Sequence, residues 1–445
     1  FIIITYANIN RPDAGLYHLP FIKILNENKL IIGLTNLHFR FGHTSIIQYI
    51  SAIHVNHFFK AEFLNIPLAI LPSIYFLFLF KEFLNQSKTE NEQNVITIFL
   101  ILAFSIYSFN RFSGLGNDGP ANIFFFILVI HLLKIKNIKL IKKNDFYLII
   151  FISLFLIMLK PIMVFVLLIP FVLFLFNQNK YNLVKDGKII FCFFFILLWF
   201  LKNILTSGCI VFPINQTCFN NLQHSNPEIV SNTSNEAEAW AKGYPDSKIK
   251  NGYTEYNSKF NWLETWSNNH LNKIIEKILP LIILILILLP KYFLNNYFFK
   301  FYKYGKQFRD KKYLYLIYFL IFYNIIWFLK FPLYRFGMAF ISSFIIVFFV
   351  YIFINNKKPI YNKKILLVFL IIGFSIFYIK NINRIINKLD QKYVNAPWPA
   401  IYSMKINEKN KNKNFEKILN EKKEFLYFYS GGEECMFTKS PCSNI

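Results

Sequence analysis

The sequence predicts an all-α polytopic membrane protein of about 11 transmembrane helices, the N-terminal one truncated, with extracytoplasmic loops forming a small cap. Three observations predict it. Of 445 residues, 55% are hydrophobic and 55 are Phe, far more than one soluble core of this length needs. Apolar runs recur at the roughly 20-residue length that crosses a hydrocarbon core. The formal charge of +25 is carried by short Lys blocks between those runs, which is a topology signal and gives no nucleic-acid face. Heavy use of Ile, Lys, Asn and Phe also fits an AT-rich coding bias, so net charge itself is discounted.

Phe1 to Ala7 reads as the last turns of a helix whose start is missing. Further spans are expected at 61–81, 94–110, 120–133, 146–159, 161–177, 188–206, 274–290, 312–329, 336–354 and 364–380. Lys160-Pro161 separates two of them, as a tight hairpin or one kinked re-entrant segment. Together, residues 1–380 form the helical bundle with external loops, namely a first loop at 9–60 and a cap at 207–273. Residues 381–445 form an extracytoplasmic tail with strand-like sequence from Phe425 to Tyr429.

Orientation follows from basic residues in alternate loops. Lys134 to Asp145 holds five Lys, Gln178 to Lys188 three, Lys291 to Lys312 seven basic residues, and Asn355 to Lys364 four Lys. These are expected in the cytoplasm. Glu82 to Asn94 runs against the trend, because Lys88 is outnumbered by Glu82, Glu90 and Glu92. The opposite side then carries Cys209, Cys218, Cys435 and Cys442, which suits an oxidising compartment; proximity favours pairing Cys209 with Cys218 and Cys435 with Cys442.

The same side carries the unusual residues. Asp13 stands alone in the Pro-bounded stretch Arg11 to Pro20, and His18 follows it. His38, Arg40 and His43 cluster in the stretch from Gly33 to His43, where a guanidinium fork and imidazole donors suit a phosphate. Thr44 is placed to cap a helix with apolar positions Ile46, Ile47, Ile50, Ile53 and Phe58, expected to lie along the membrane surface. Each residue also has a plain role. Asp13 can cap a helix, His18 can pack on a neighbouring Tyr, and Arg40 can snorkel to headgroups. In the glycine-rich loop Ser113 to Pro120, Asp118 either binds a substrate hydroxyl or caps Ala121, and the cap is favoured. Lys160 and Arg335, each beside a Pro at a span end, either contact a lipid phosphate or snorkel. In the cap, Trp240, Tyr244, Trp262 and Trp266 suit sugar stacking and interfacial anchoring equally.

No diagnostic metal spacing and no GxxxxGK[ST] loop occurs, and charges within the spans are sparse. This argues against an ATP-driven machine and an ion-coupled transporter.

Asp13 with Tyr17-His18-Leu19-Pro20, then Asn36-Leu37-His38 and Arg40-Phe41-Gly42, resemble a family of uncharacterised bacterial multi-pass membrane proteins related to GT-C-type glycosyltransferases. The resemblance continues through Lys202-Asn203, Ser207-Gly208-Cys209, Pro213, Trp240-Ala241-Lys242, Trp262, Trp266 and Arg335-Phe336-Gly337. It implies a multi-pass protein of the bacterial inner (cytoplasmic) membrane that takes a polyprenyl-phosphate-linked sugar as donor. Its partners would be that donor and membrane lipids, without nucleic acid. By the same resemblance Asp13 is the general base, and Arg40 with His38 stabilises the departing phosphate. The second acid usual in that loop is absent, Glu27 being the nearest, which leaves a divalent cation open as cofactor. The expectation is therefore a membrane glycosyltransferase acting on an envelope acceptor. The alternatives are a lipid-linked glycan polymerase or ligase, resting more on Arg and His, and a non-catalytic transporter or scaffold of envelope assembly.

Overall fold

A computed structural model of the chain describes residues 1–7, 13–28, 30–59, 64–88, 91–108, 114–135, 137–178, 187–247, 252–289, 311–354 and 363–387, with 416–419, 426–429, 435, 437 and 440–443 of the tail. Arg11, Ser113 at the start of the glycine-rich loop and most of the basic stretches at 178–188, 291–312 and 355–364 lie outside the described residues.

Each expected span coincides with helical structure. After α1 (Ile2–Tyr6) come α2 (Leu19–Glu27), α3 (Ile46–His54), α4 (Ile66–Gln86), α5 (Glu92–Ser108), α6 (Asp118–Lys134), α7 (Lys143–Leu159), α8 (Leu168–Phe176) and α9 (Gly187–Ser207). The cap supplies α10 (Pro227–Ala241), α11 (Tyr253–Asn257) and α12 (Leu263–Trp266). The bundle then resumes with α13 (Asn272–Leu288), α14 (Lys311–Lys330), α15 (Tyr334–Phe353) and α16 (Lys363–Asn387).

This is a predominantly helical membrane protein. Among the described residues, Ile66–Gln86, Gly187–Ser207, Lys312–Lys330, Tyr334–Phe353 and Lys363–Asn387 are long and apolar enough to cross a membrane. That makes 5 such helices among the described residues. The helices α5, α6, α7 and α13 have 17 residues each, about 25 Å of axial rise against a core of ~30 Å.

Local chemistry explains where the helices begin and turn. Pro67 in the first turn of α4 starts it later than its apolar run, and the helix continues through Glu82 because Lys134 Nζ meets that carboxylate at 3.0 Å. Lys160, preceding Pro161, is extended at φ −157° and ends α7. Pro161–Leu167 then runs as a 3-10 helix into α8, and Gln178 N donates to Lys139 O at 3.0 Å, so α8 returns to the start of α7 as a tight hairpin.

The largest core cluster unites α4, α5, α6, α7, α14 and α15. Asn122 links α6 to α15: Nδ2 donates to Asp118 O and Arg335 O, while Oδ1 accepts from Ala339 N at 3.2 Å. A smaller cluster of Phe21, Ile24, Leu34, Leu37 and Phe41 underlies the first loop.

That loop departs from its expected form. Ser45, not Thr44, caps α3, its N–H donating to Gln48 Oε1 at 2.9 Å. Ile47 is buried in the bundle core, so one face of α3 packs on the bundle end. Ile53 and Phe58 remain exposed.

The structure joins Cys209 to Cys218 and Cys435 to Cys442. The tail adds a three-stranded sheet to the helical frame: β1 (Glu416–Leu419) pairs antiparallel with β2 (Leu426–Tyr429), which pairs parallel with β3 (Cys442–Ser443). Asn28 Nδ2 donates to Ser440 Oγ at 2.7 Å, and Ser443 Oγ donates to Leu37 O at 3.0 Å, so the tail seats on the first loop.

The cap aromatics divide. Trp240 is exposed, but Trp262 and Trp266 are buried, meet edge to face, and both pack on Phe328 of α14. Trp266 Nε1 donates to Pro332 O at 2.7 Å. These two rings fasten the cap to the bundle and are open neither to a sugar nor to a membrane interface.

Candidate functional site

Five separate pieces of chain bring charged side chains together. Asp13 begins the turn that leads through Ala14–His18 into α2. Arg40 lies in the 3-10 turn Phe39–Gly42, and Asp118 is the first residue of α6. Lys160 closes α7, and Arg335 sits in the first turn of α15.

Asp13 lies between two guanidiniums, with Arg40 Nη1 4.0 Å from Oδ1 and Arg335 Nη1 3.4 Å from Oδ2. Arg335 extends the chain to Asp118, its Nε standing 3.6 Å from Oδ2, and Lys160 Nζ pairs with Asp118 Oδ1. Lys160 also lies 3.3 Å from the centre of the Phe336 ring. Two carboxylates therefore face three cations, leaving one positive charge in excess. All five side chains are partly accessible.

These contacts correct several expectations. Asp118 caps nothing: the cap position is Asn117 and the carboxylate is committed to Lys160 and Arg335. Asp13 makes no side-chain cap either. Arg40, Lys160 and Arg335 do not snorkel, because each reaches an acid of the cluster. His38 is buried, and its Nδ1 accepts the Arg40 backbone N–H at 3.1 Å. It shapes the turn that presents Arg40 and is a positioning residue.

His18 packs on Tyr17 as expected, with ring centres 4.4 Å apart, but it also has a defined donor geometry. Gln48 Oε1 already accepts from Ser45 N, so the Gln48 amide NH₂ is the end that meets His18 Nδ1 at 3.0 Å. Nδ1 is then the acceptor and Nε2 carries the proton. That Nε2 lies beside Gly116, where an added Cβ would sit 3.5 Å from it. Burial lowers the His18 pKa to about 4, against the opposing pull of Asp13 and Asp118, so the ring is a neutral donor at pH 7. His43 is likewise held at about 4 by burial, with Arg40 and Lys160 adding to the effect. It meets Phe212 edge to face at 5.4 Å.

Both Arg-Phe-Gly motifs owe their glycine to an aromatic neighbour. A Cβ at Gly42 would collide with the Phe212 ring, and one at Gly337 with the Trp327 indole. Each glycine admits a ring that fixes the turn just after its arginine.

The donor set fits an anion better than a divalent cation. Arg335 Nε is buried and makes no hydrogen bond among the described residues. The two acids face cations, and no group of three or more His, Cys, Asp or Glu able to hold a metal occurs among the described residues. Sequence reasoning named the charged members of the cluster but missed Gln48 and Asn122. Ser45 with Gln48 three positions later was a visible capping-box signal. Asn122, one turn after Asp118, carried none.

Compared with known proteins, residues 1–342 match the model of a family described as a domain of unknown function, DUF8201. The chain belongs to this family. No curated protein and no solved structure matches. The DUF8201 region includes every residue of the charged cluster, the whole cap and the first half or so of α15, and α16 and the tail sheet follow it.

Proposed function

We propose that this DUF8201 protein is a membrane glycosyltransferase that moves a sugar from a polyprenyl-phosphate donor to an envelope acceptor. The observation that carries this reading is Asp13 held between Arg40 and Arg335, with the Lys160–Asp118 pair alongside. In the resting arrangement the carboxylates occupy the arginines. A phosphate entering the cluster takes up Arg40, Arg335 and Lys160, which releases Asp13 from its counter-ions. Asp13 then takes the proton of an acceptor hydroxyl as that oxygen bonds to the anomeric carbon. The bond from that carbon to the phosphate oxygen breaks, and its electron pair leaves on the phosphate, stabilised by the arginines and Lys160. His18 Nε2–H faces the same region as a neutral donor.

The proposal includes the wider frame: a bundle of about 11 spans in the bacterial inner membrane, with cluster, cap and tail outside the cytoplasm. The disulfides support that placement. The Cys435–Cys442 loop contacts Asn28 through Ser440, and the Cys209–Cys218 loop sets Phe212 against His43, so both adjoin the loop that carries Arg40.

Asp13→Asn tests the chemistry in membranes that carry the variant, read by glycolipid and glycan profiles. Transfer is expected to fall by about two orders of magnitude or more, the usual contribution of a general base. Undiminished transfer rules out this mechanism. The excess of cations over acids favours, as a second reading, a lipid-linked glycan polymerase or ligase. Transfer retained in Asp13→Asn and lost in Arg40→Ala selects that reading.

A further inference from the structure

Lys202, near the end of α9, is a basic motif residue that this chemistry does not use. Its ammonium donates to Thr44 Oγ1 and lies 3.7 Å from the centre of the Trp199 ring and 5.3 Å from that of Tyr49. No carboxylate pairs with it among the described residues. A lysine that merely snorkels extends its head to water, whereas this one folds back into an aromatic recess with no acid beside it among the described residues.

The surface leading to that recess is apolar. Leu198, Phe195 and Phe191 stand four, seven and eleven positions before Lys202, which places them on one helical stripe. All three are exposed, and the rings of Phe191 and Phe195 stack with centres 6.4 Å apart. An apolar track that ends at a lysine donor with no acid partner among the described residues is complementary to a chain bearing an anionic head. The charged cluster described above differs in that its cations are already faced by Asp13 and Asp118. The two share one loop, which gives Arg40 to the cluster and Thr44 to the recess.

We propose that the Lys202 recess is a second site, which binds the phosphate of a membrane lipid whose hydrocarbon chain lies along Leu198, Phe195 and Phe191. Thr44 fixes the ammonium, and Trp199 with Tyr49 form the wall against which the head seats. This site stands independently of glycosyl transfer by the cluster.

Native mass spectrometry of the full chain in neutral detergent tests it, with phosphatidic acid, phosphatidylcholine of the same acyl chains, and inorganic phosphate as probes. Phosphatidic acid is expected to bind about tenfold more tightly than phosphatidylcholine, the scale of one hydrogen bond to a charged group. Lys202→Met removes that preference and Lys202→Arg keeps it. Leu198→Glu, an exposed change one turn away, pairs with Lys202 and also removes it, which keeps the test open should Lys202→Met fail to fold. Inorganic phosphate leaves the lipid bound. The proposal is overturned if both lipids bind equally, if the preference survives Lys202→Met or Leu198→Glu, or if inorganic phosphate displaces the lipid. It is overturned as well if Arg40→Ala abolishes the preference while Lys202→Met does not, since the lipid would then belong to the cluster.

Discussion

Replacing Lys160 by Met tests whether the charged cluster behaves as one coupled unit. The Lys160 side chain is 13% exposed and that of Asp118 26%, so solvent screens their pair only in part. Without the ammonium, Asp118 keeps only Arg335, 3.6 Å away, which is already shared with Asp13. Leaving such a carboxylate under-compensated is expected to cost about 3 kcal/mol. Asp118→Asn costs less, about 1–2 kcal/mol, because Lys160 still rests on the Phe336 ring. In the double variant neither charge is stranded and Arg335 keeps Asp13, so the combined loss falls short of the sum by about 2 kcal/mol. Denaturant unfolding of the detergent-solubilised chain, followed by Trp fluorescence, measures all three. Additive losses, agreeing within about 0.5 kcal/mol, refute the coupling and with it the shared counter-ion role given to Arg335.

Acid should destabilise the fold through His18 and His43. Both folded-state pKa values lie near 4, below the ordinary 6.5, so each histidine stabilises fully above pH 6.5 and loses that contribution as pH falls towards about 4. Unfolding series at pH 7, 5.5 and 4.5 should show the loss, and His43→Phe should flatten it. Gly42→Ala is expected to cost about 1–3 kcal/mol by overpacking against Phe212, with partial recovery in Gly42→Ala/Phe212→Leu; equal thermal midpoints for wild type and Gly42→Ala would count against the close packing. Gln48→Leu strands His18 Nδ1 and should lower stability by about 1–3 kcal/mol, whereas a neutral result in unfolding would deny the fixed tautomer.

Helix positions were legible because long apolar runs permit little else, and Lys160-Pro161 marked a real break in the chain. Crossing the membrane was less legible, since α5, α6, α7 and α13 are apolar but short. Within the site, Asp13, Arg40, Asp118, Lys160 and Arg335 stood out as isolated charges beside apolar runs, yet their mutual pairing did not. An acid at the start of a helix reads as a cap until the tertiary fold supplies Lys160 and Arg335 as competitors. Trp262 and Trp266 carried the same ambiguity, because sequence cannot say whether a ring meets a ligand or Phe328. The role of His38 lay in a backbone N–H two residues away, which no side-chain pattern announces.

The seating of the tail on the first loop sets an order of events during synthesis. Asn28 donates its hydrogen bond to Ser440, 412 positions later, and Leu37 O accepts one from Ser443, 406 positions later. The turn that presents Arg40 can therefore form early but gains its outer support only after the bundle, the cap and α16 have been made. A ribosome still translating the later helices holds a protein whose charged cluster is assembled piecemeal, and the loop beside it is finished last.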